Sequence, residues 1–413
     1  MTHLSCAGRV VALFAGAALA AAAPAQSLID DQMVLHIGGR TVFPIGFTMP
    51  PPPGGKTPSG RNAIEELASA GATFMRTGAM GGPWDMATIE REQQWLDAAQ
   101  RHGLYCMPYL REHSVVRDDA GERELRSLVE RFKNHPALGA WKGDDEPEWA
   151  NRPVDWVERA YRIIKEVDPE RPVVLIHAPR GTVESLRKYN SAADIIGTDI
   201  YPIGYPPGNH SLRTNKTMTL VGDYARTMRE VSDGKKPVWM VLQIAWSGVI
   251  KPGKTLRMPT FFEERFMTYQ AIINGARGLL YFGGSIPAAM NQRDKALGWN
   301  WTFWDRVLRP VIEEIGSHSP LYPALVAPDS PVRVIVDKRS GVEWLAREAG
   351  GDLFLLACKA TGPTEQVRFS GLPASSAEAE VLYEEPRKVQ VKDGVLTDWF
   401  APYEVHVYRL KKQ

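Results

Sequence analysis

Between residues 41 and 284 the chain repeats one unit eight times: a short apolar run, then a longer segment of helical period. The runs read TVFPIGFT, ATFMRTGA, LYCMPYL, ALGAWKGD, RPVVLIHA, ADIIGTDIYP, KPVWMVLQIA and RGLLYFGG. They are compact and apolar on both faces, as parallel strands covered on both sides must be. The segments between them gather apolar side chains on one helical face. Leu125, Leu128, Val129 and Phe132 form one such face, Trp156, Ala160, Ile163, Ile164 and Val167 a second, and Phe262, Phe266, Tyr269 and Ile273 a third. Gly or Pro signals (RHG, KNHP, EVDPERP, VSDGKKP) end several of them. Eight strands, each followed by a helix, predict an α/β fold of the (β/α)8 TIM-barrel kind. A doubly wound open sheet uses the same elements, but no G-x-G-x-x-G follows the first run here.

After EEIGSHSPLYPAL the rhythm changes to short alternating segments: VRVIVDK, VEWLARE, DLFLLACK, EQVRFSG, AEVLYEE, KVQVKDG and YEVHVYRL. Turn residues such as Arg339-Ser340-Gly341 and Lys392-Asp393-Gly394 separate them. They predict a small antiparallel β-sandwich over 330–413, after a barrel over 26–329.

The first 25 residues form a leader: Arg9, an Ala-rich apolar stretch, then Ala23-Pro24-Ala25 ahead of Gln26. This is the pattern of a cleaved secretory signal, which predicts a secreted or periplasmic protein with no membrane span after cleavage. The formal charge is +1, from 49 basic and 48 acidic side chains, and favours neither nucleic acid nor an anionic membrane as partner. Cys106 and Cys358, the cysteines left after cleavage, lie in separate apolar runs and read as buried thiols. No Cys or His spacing suggests a metal, so neither metal nor cofactor is expected. No feature specifies an oligomeric state.

In a barrel of this kind the chemistry sits at the carboxyl ends of the strands. Those ends carry Arg76, Tyr109, Glu112, the acidic run Asp144-Asp145-Glu146, His177, Asp199, Tyr201, Gln243, Trp246 and Tyr281. Trp299 follows in GWNWTFWD, and Trp149 closes WKGDDEPEW. Carboxyls ringed by aromatics suit the cleavage of sugars: one carboxyl protonates the leaving oxygen, a second group faces the anomeric carbon, and flat rings stack on the sugar. Crowding also raises carboxyl pKa values, which keeps a donor protonated. Adjacent residues on a regular strand point to opposite faces. Asp145 and Glu146 can therefore share a site only if a bulge or the strand's end turns them together.

HPALGAWKGDDEPEW resembles the strand-four region of the retaining TIM-barrel glycoside hydrolases of clan A, where the signature is Asn-Glu-Pro. ADIIGTDIYPI and KPVWMVLQ resemble strands six and seven of those families, and FAPYEVHVYRL the last strands of their β-sandwich. The resemblance implies a glycosidase with a carbohydrate substrate, with Glu146 as general acid/base and Asp145 in place of the Asn. It also implies a nucleophile near Gln243, where a carboxamide stands and no carboxylate occurs between Pro237 and Thr260. Three readings remain open. A second carboxylate (Asp145, Asp199 or Glu112) works with Glu146; or Asp145 and Glu146 act as in substrate-assisted hexosaminidases; or the barrel binds glycan without turnover. Arg76, Tyr109, His177, Tyr201, Gln243, Trp246, Tyr281 and Trp299 are the expected substrate contacts.

Overall fold

The computed structural model describes residues 26–245 and 252–411. All eight apolar runs contribute strands: Ile45–Phe47, Phe74–Met75, Tyr105–Cys106, Trp141–Asp145, Val173–His177, Ile195–Asp199, Val238–Gln243 and Ala276–Phe282. They are called strands one to eight below. Adjacent pairs are parallel, and strand eight returns to strand one. Bridges from Cys106 to Leu138 and from Tyr109 to Lys142 join strands three and four and close the ring. The sheet is thus a (β/α)8 barrel. Its N-terminal end is sealed by a three-stranded antiparallel sheet, Ser27–Ile29, Leu35–Ile37 and Arg40–Val42. Leu35, Ile37 and Val42 pack there against Phe74, Met107, Val174 and Trp239 from the barrel interior.

Several helices start where side chains satisfy their free N–H groups. Asp85 caps Met86–His102, and Thr260 with Glu263 forms a capping box for Phe261–Ile273. The first of these helices ends at Gly103, whose φ of 74° only glycine adopts without strain. Leu125, Leu128, Val129 and Phe132 are all buried, as their spacing predicts. Phe262 departs from the pattern at 77% exposed. It lies in the first turn of its helix, beyond the sheet, beside Tyr383 and Tyr403.

A seven-stranded antiparallel sheet follows: Val342–Ala349, Asp352–Lys359, Glu365–Phe369, Glu378–Leu382, Arg387–Lys392, Val395–Phe400 and Val405–Lys411. It folds onto itself as a β-sandwich, because strands from both ends of its order share one core that includes Leu353, Phe369, Phe400 and Tyr408. The segment 332–338 adds only a bridge from Ile335 to Ser370, whereas Val395–Phe400, absent from the alternating runs, is a full strand. Asp393 and Gly394, at φ 51° and 69°, make the tight turn before it. The helix Phe261–Ile273 lies between barrel and sandwich. Its Arg265 meets Glu314 at 2.8 Å and donates to the Val405 carbonyl at 2.8 Å. Cys106 and Cys358 are buried free thiols. Among the described residues no helix is long and apolar enough to cross a membrane.

Candidate active site

At the carboxyl end of the barrel lies a cavity of about 270 Å³. Thr48, Arg76, Lys142, Asp145, Glu146 and Asp199 form its polar walls, and Tyr201, His210 and Phe282 are among the remaining groups. Strand four builds the acidic side through a defect. Its ladder with strand five slips between Lys142 and Asp145, and Glu146 adopts φ 53° while its N–H donates to the Ile176 carbonyl at 2.7 Å. Both neighbours, Asp145 and Glu146, thereby line the cavity. Asp144 turns away and accepts from the Ser114 hydroxyl at 3.0 Å.

The carboxyls sit in different electrostatic surroundings. Lys142, buried inside the barrel, donates to Asp145 at 3.0 Å and to the Gly143 and Asp144 carbonyls at 3.2 and 2.5 Å. Burial would raise the Asp145 carboxyl, but the charges of Lys142 and Arg76 outweigh it and hold Asp145 below its usual range. Glu146 and Asp199 each offer an oxygen within 4.8 Å of the other, and both are raised, Asp199 strongly. Burial is the main cause for each, with repulsion from neighbouring carboxylates added. Burial and mutual repulsion thus favour a single proton shared between the two carboxyls.

His210, from the loop between strand six and the helix Leu220–Val231, stacks on Tyr201 with ring centroids 4.4 Å apart. Its Nε2 is 3.7 Å from Asp199. Glu146, Asp199 and His210 each offer an atom within 4.8 Å of the others, a span that suits a metal ion. The hydrogen bonding opposes that use. The Tyr201 N–H donates to His210 Nδ1 at 3.2 Å, which leaves the ring proton on Nε2, facing Asp199. Burial pushes the imidazole down to about 3, so the ring is neutral and acts as a donor.

Arg76, Asp145, Glu146, Asp199 and Tyr201 are thus brought together. Tyr109 stands behind this wall, its ring 5.0 Å from both the Arg76 guanidinium and the Lys142 ammonium. Other expected contacts lie elsewhere. Glu112 accepts from the Trp84 N–H at 2.8 Å, outside the cavity. His177 is fully buried beside Tyr189, with neither ring nitrogen bonded, and burial lowers its pKa to about 3. Tyr281 points at the helix behind its strand and shares a hydrogen bond with Thr268 at 2.9 Å. Gln243 exchanges two hydrogen bonds with the Ile203 backbone, at 2.8 and 3.0 Å. Trp299 is core, packed against Phe47, Trp301 and Trp304 with its N–H on the Met49 carbonyl at 2.8 Å. Trp246 lies outside the described residues. Trp149 is 53% exposed and absent from the cavity lining, with Arg180 stacked on it at 4.1 Å.

Sequence reasoning missed Lys142, His210 and Thr48, whereas Phe282 stands at the strand-eight end where chemistry is expected. A lysine inside an apolar strand run was a usable signal for the first. For His210 the loop sequence carries none.

No family model matches the sequence, and neither does any curated protein. Solved structures do. A family 5 glycoside hydrolase from Bacteroides vulgatus ATCC 8482 superposes with a TM-score of 0.62 at 13% identity, over 94% of this chain and 93% of that one. A structure described as a glycoside hydrolase gives 0.58 at 14% identity, over 94% and 97%. An α-amylase from Anoxybacillus gives 0.55 at 12%, over 90% and 98%. Barrel and sandwich together are therefore a fold that this chain shares with TIM-barrel glycoside hydrolases.

Proposed function

We propose that the protein is a glycoside hydrolase acting on a poly- or oligosaccharide, with Glu146 as the proton donor. The observation that carries this reading is the Glu146–Asp199 pair, with oxygens within 4.8 Å and both raised in pKa, beside an ionised Asp145 in one barrel-end cavity. Glu146 delivers the shared proton to the leaving oxygen, and the Glu146–Asp199 pair takes a proton back from the water that adds to the anomeric carbon. Asp145, held as an anion by Lys142, faces the positive charge that grows on the sugar. The Glu146 and Asp199 oxygens lie within 4.8 Å, whereas a retaining pair stands about 5–5.5 Å apart and an inverting pair about 6.5–9.5 Å. Asp199 is therefore the donor's partner and not the opposing nucleophile or base.

A second reading rests on Asp145 and Glu146 sharing one cavity: Asp145 orients a substrate acetamido group, which then supplies the nucleophile. Cleavage restricted to 2-acetamido sugars separates it from the first. The leader, if a secretory signal, would bring the enzyme to glycans outside the cytoplasm. The test is sugar release from a panel of glycans by wild type and Glu146→Gln. Wild-type release with at least a roughly hundredfold loss in the variant is expected. Binding without release by either protein would instead favour a glycan receptor.

A further inference from the structure

Four arginines are buried among the described residues: Arg76, Arg171, Arg265 and Arg347. Three have a carboxylate partner: Asp168 at 3.1 Å for Arg171, Glu314 at 2.8 Å for Arg265 and Asp329 at 3.3 Å for Arg347. Arg76 has none within 4.0 Å, although the described residues include every Asp and Glu of the sequence. Its Nε and Nη2 donate to the Thr48 carbonyl at 3.1 and 2.8 Å, its plane meets the Tyr109 ring, and Nη1 is unbonded. Asp145 feels its charge but is bonded to Lys142. Buried charges in proteins are paired, because an isolated one loses its hydration without return. Arg76 is 8% exposed, and what it adjoins is the cavity. Beside it the Thr48 hydroxyl, also on the cavity wall, is buried without a hydrogen-bond partner.

We propose that Arg76 and Thr48 form a subsite for a sugar carboxylate, and that the glycan bound here contains uronic acid. The planar guanidinium takes a carboxylate in a two-pronged hydrogen bond, and the hydroxyl adds a third donor. Lys142 offsets the charge of Asp145, and a proton shared by Glu146 and Asp199 cuts that pair's charge from two to one, which weakens its repulsion of an anionic ligand. The carboxylate lies on the strand-one and strand-two side while the glycosidic oxygen meets Glu146. Only that last statement rests on the hydrolase reading; the subsite itself does not.

The experiment is calorimetric binding to Glu146→Gln, which prevents turnover. The probes are oligogalacturonides, alginate oligomers and glucuronoxylan oligosaccharides, each paired with its carboxyl-reduced form. At least one acidic form is expected to bind ten times or more tightly than its reduced counterpart. Adding Arg76→Met should remove that preference, and Arg76→Lys, which keeps the charge without the fork, should keep part of it. If Arg76→Met fails to fold, the acid-against-reduced comparison and Arg76→Lys still decide. Equal affinity for both forms overturns the subsite and leaves a glycan-binding barrel intact. A preference for the acidic form that wild type then fails to cleave keeps the subsite and removes the hydrolase reading. Binding of neither form of any pair overturns the subsite, and sugar release from the wider glycan panel then decides the hydrolase reading separately.

Discussion

At the tip of strand four the ladder slips, Glu146 takes φ 53°, and two consecutive carboxyls enter the cavity. At the tip of strand seven the ladder with strand eight stays in register from Trp239 to Gln243. There the carboxamide is used up by the Ile203 backbone. Both tips carry residue types that fit sugar chemistry. The difference is whether the polar atoms have partners inside the protein. Asp199 Oδ1 has none in its buried position, while both polar atoms of the Gln243 side chain are engaged. At these two tips the cavity takes the carboxyl that the fold leaves unsatisfied, while His177, buried and unbonded elsewhere, shows that an orphaned group alone does not mark a site.

The comparison breaks most visibly if the two tips respond alike to substitution. Asp199→Asn removes the shared proton, and turnover should fall by about a hundredfold or more with little change in thermal stability. Gln243→Glu restores a carboxyl at strand seven but sets it against the Ile203 carbonyl in a buried position. We expect a loss of about 3 kcal/mol in denaturant unfolding and no gain in activity. A Gln243→Glu protein that is stable and faster than wild type would show that strand seven is catalytic after all. The tryptophans sharpen the contrast more gently. Trp149→Ala, at an exposed ring three residues beyond Glu146, should weaken glycan affinity by about tenfold in calorimetry while leaving stability within about 0.5 kcal/mol.

Much of the barrel could be read from the sequence, because each strand is an apolar run and each helix carries a periodic face. The site was less legible, for a reason visible in particular residues. The inward rows of the strands continue into the cavity: Phe74 leads to Arg76, Ile195 to Asp199, and Leu280 to Phe282. His177 and Tyr281 belong to the alternate, outward rows, with Leu175 and Leu279. Counting by two from the interior residues would have set both aside and brought forward Lys142 and Thr48. The slip at strand four is the exception to that count, since it moves Asp145 onto the row that Asp144 would have occupied. No local sequence signal marks it apart from Pro147, which ends the strand. Trp299 was misread because GWNWTFWD looks like a loop, although its rings close the core above strand one.

The smallest expected effect probes the electrostatics of strand four alone. Burial raises the Glu146 carboxyl first, and the Asp145 charge raises it further. Asp145→Asn removes that charge, and it also frees Lys142, whose charge favours ionised Glu146. Both changes lower the Glu146 pKa. The donor must be protonated to act, so activity is present below this pKa and is lost as pH rises through it. The alkaline limb of kcat/KM in Asp145→Asn should therefore move to lower pH, by about one unit for loss of a neighbouring charge. Whatever activity survives the substitution suffices, because the limb's position is read independently of its height. An unmoved limb would mean that Glu146 is not the group whose proton limits turnover. A limb displaced to higher pH would mean that the Asp145–Lys142 pair acts on it as a net positive charge.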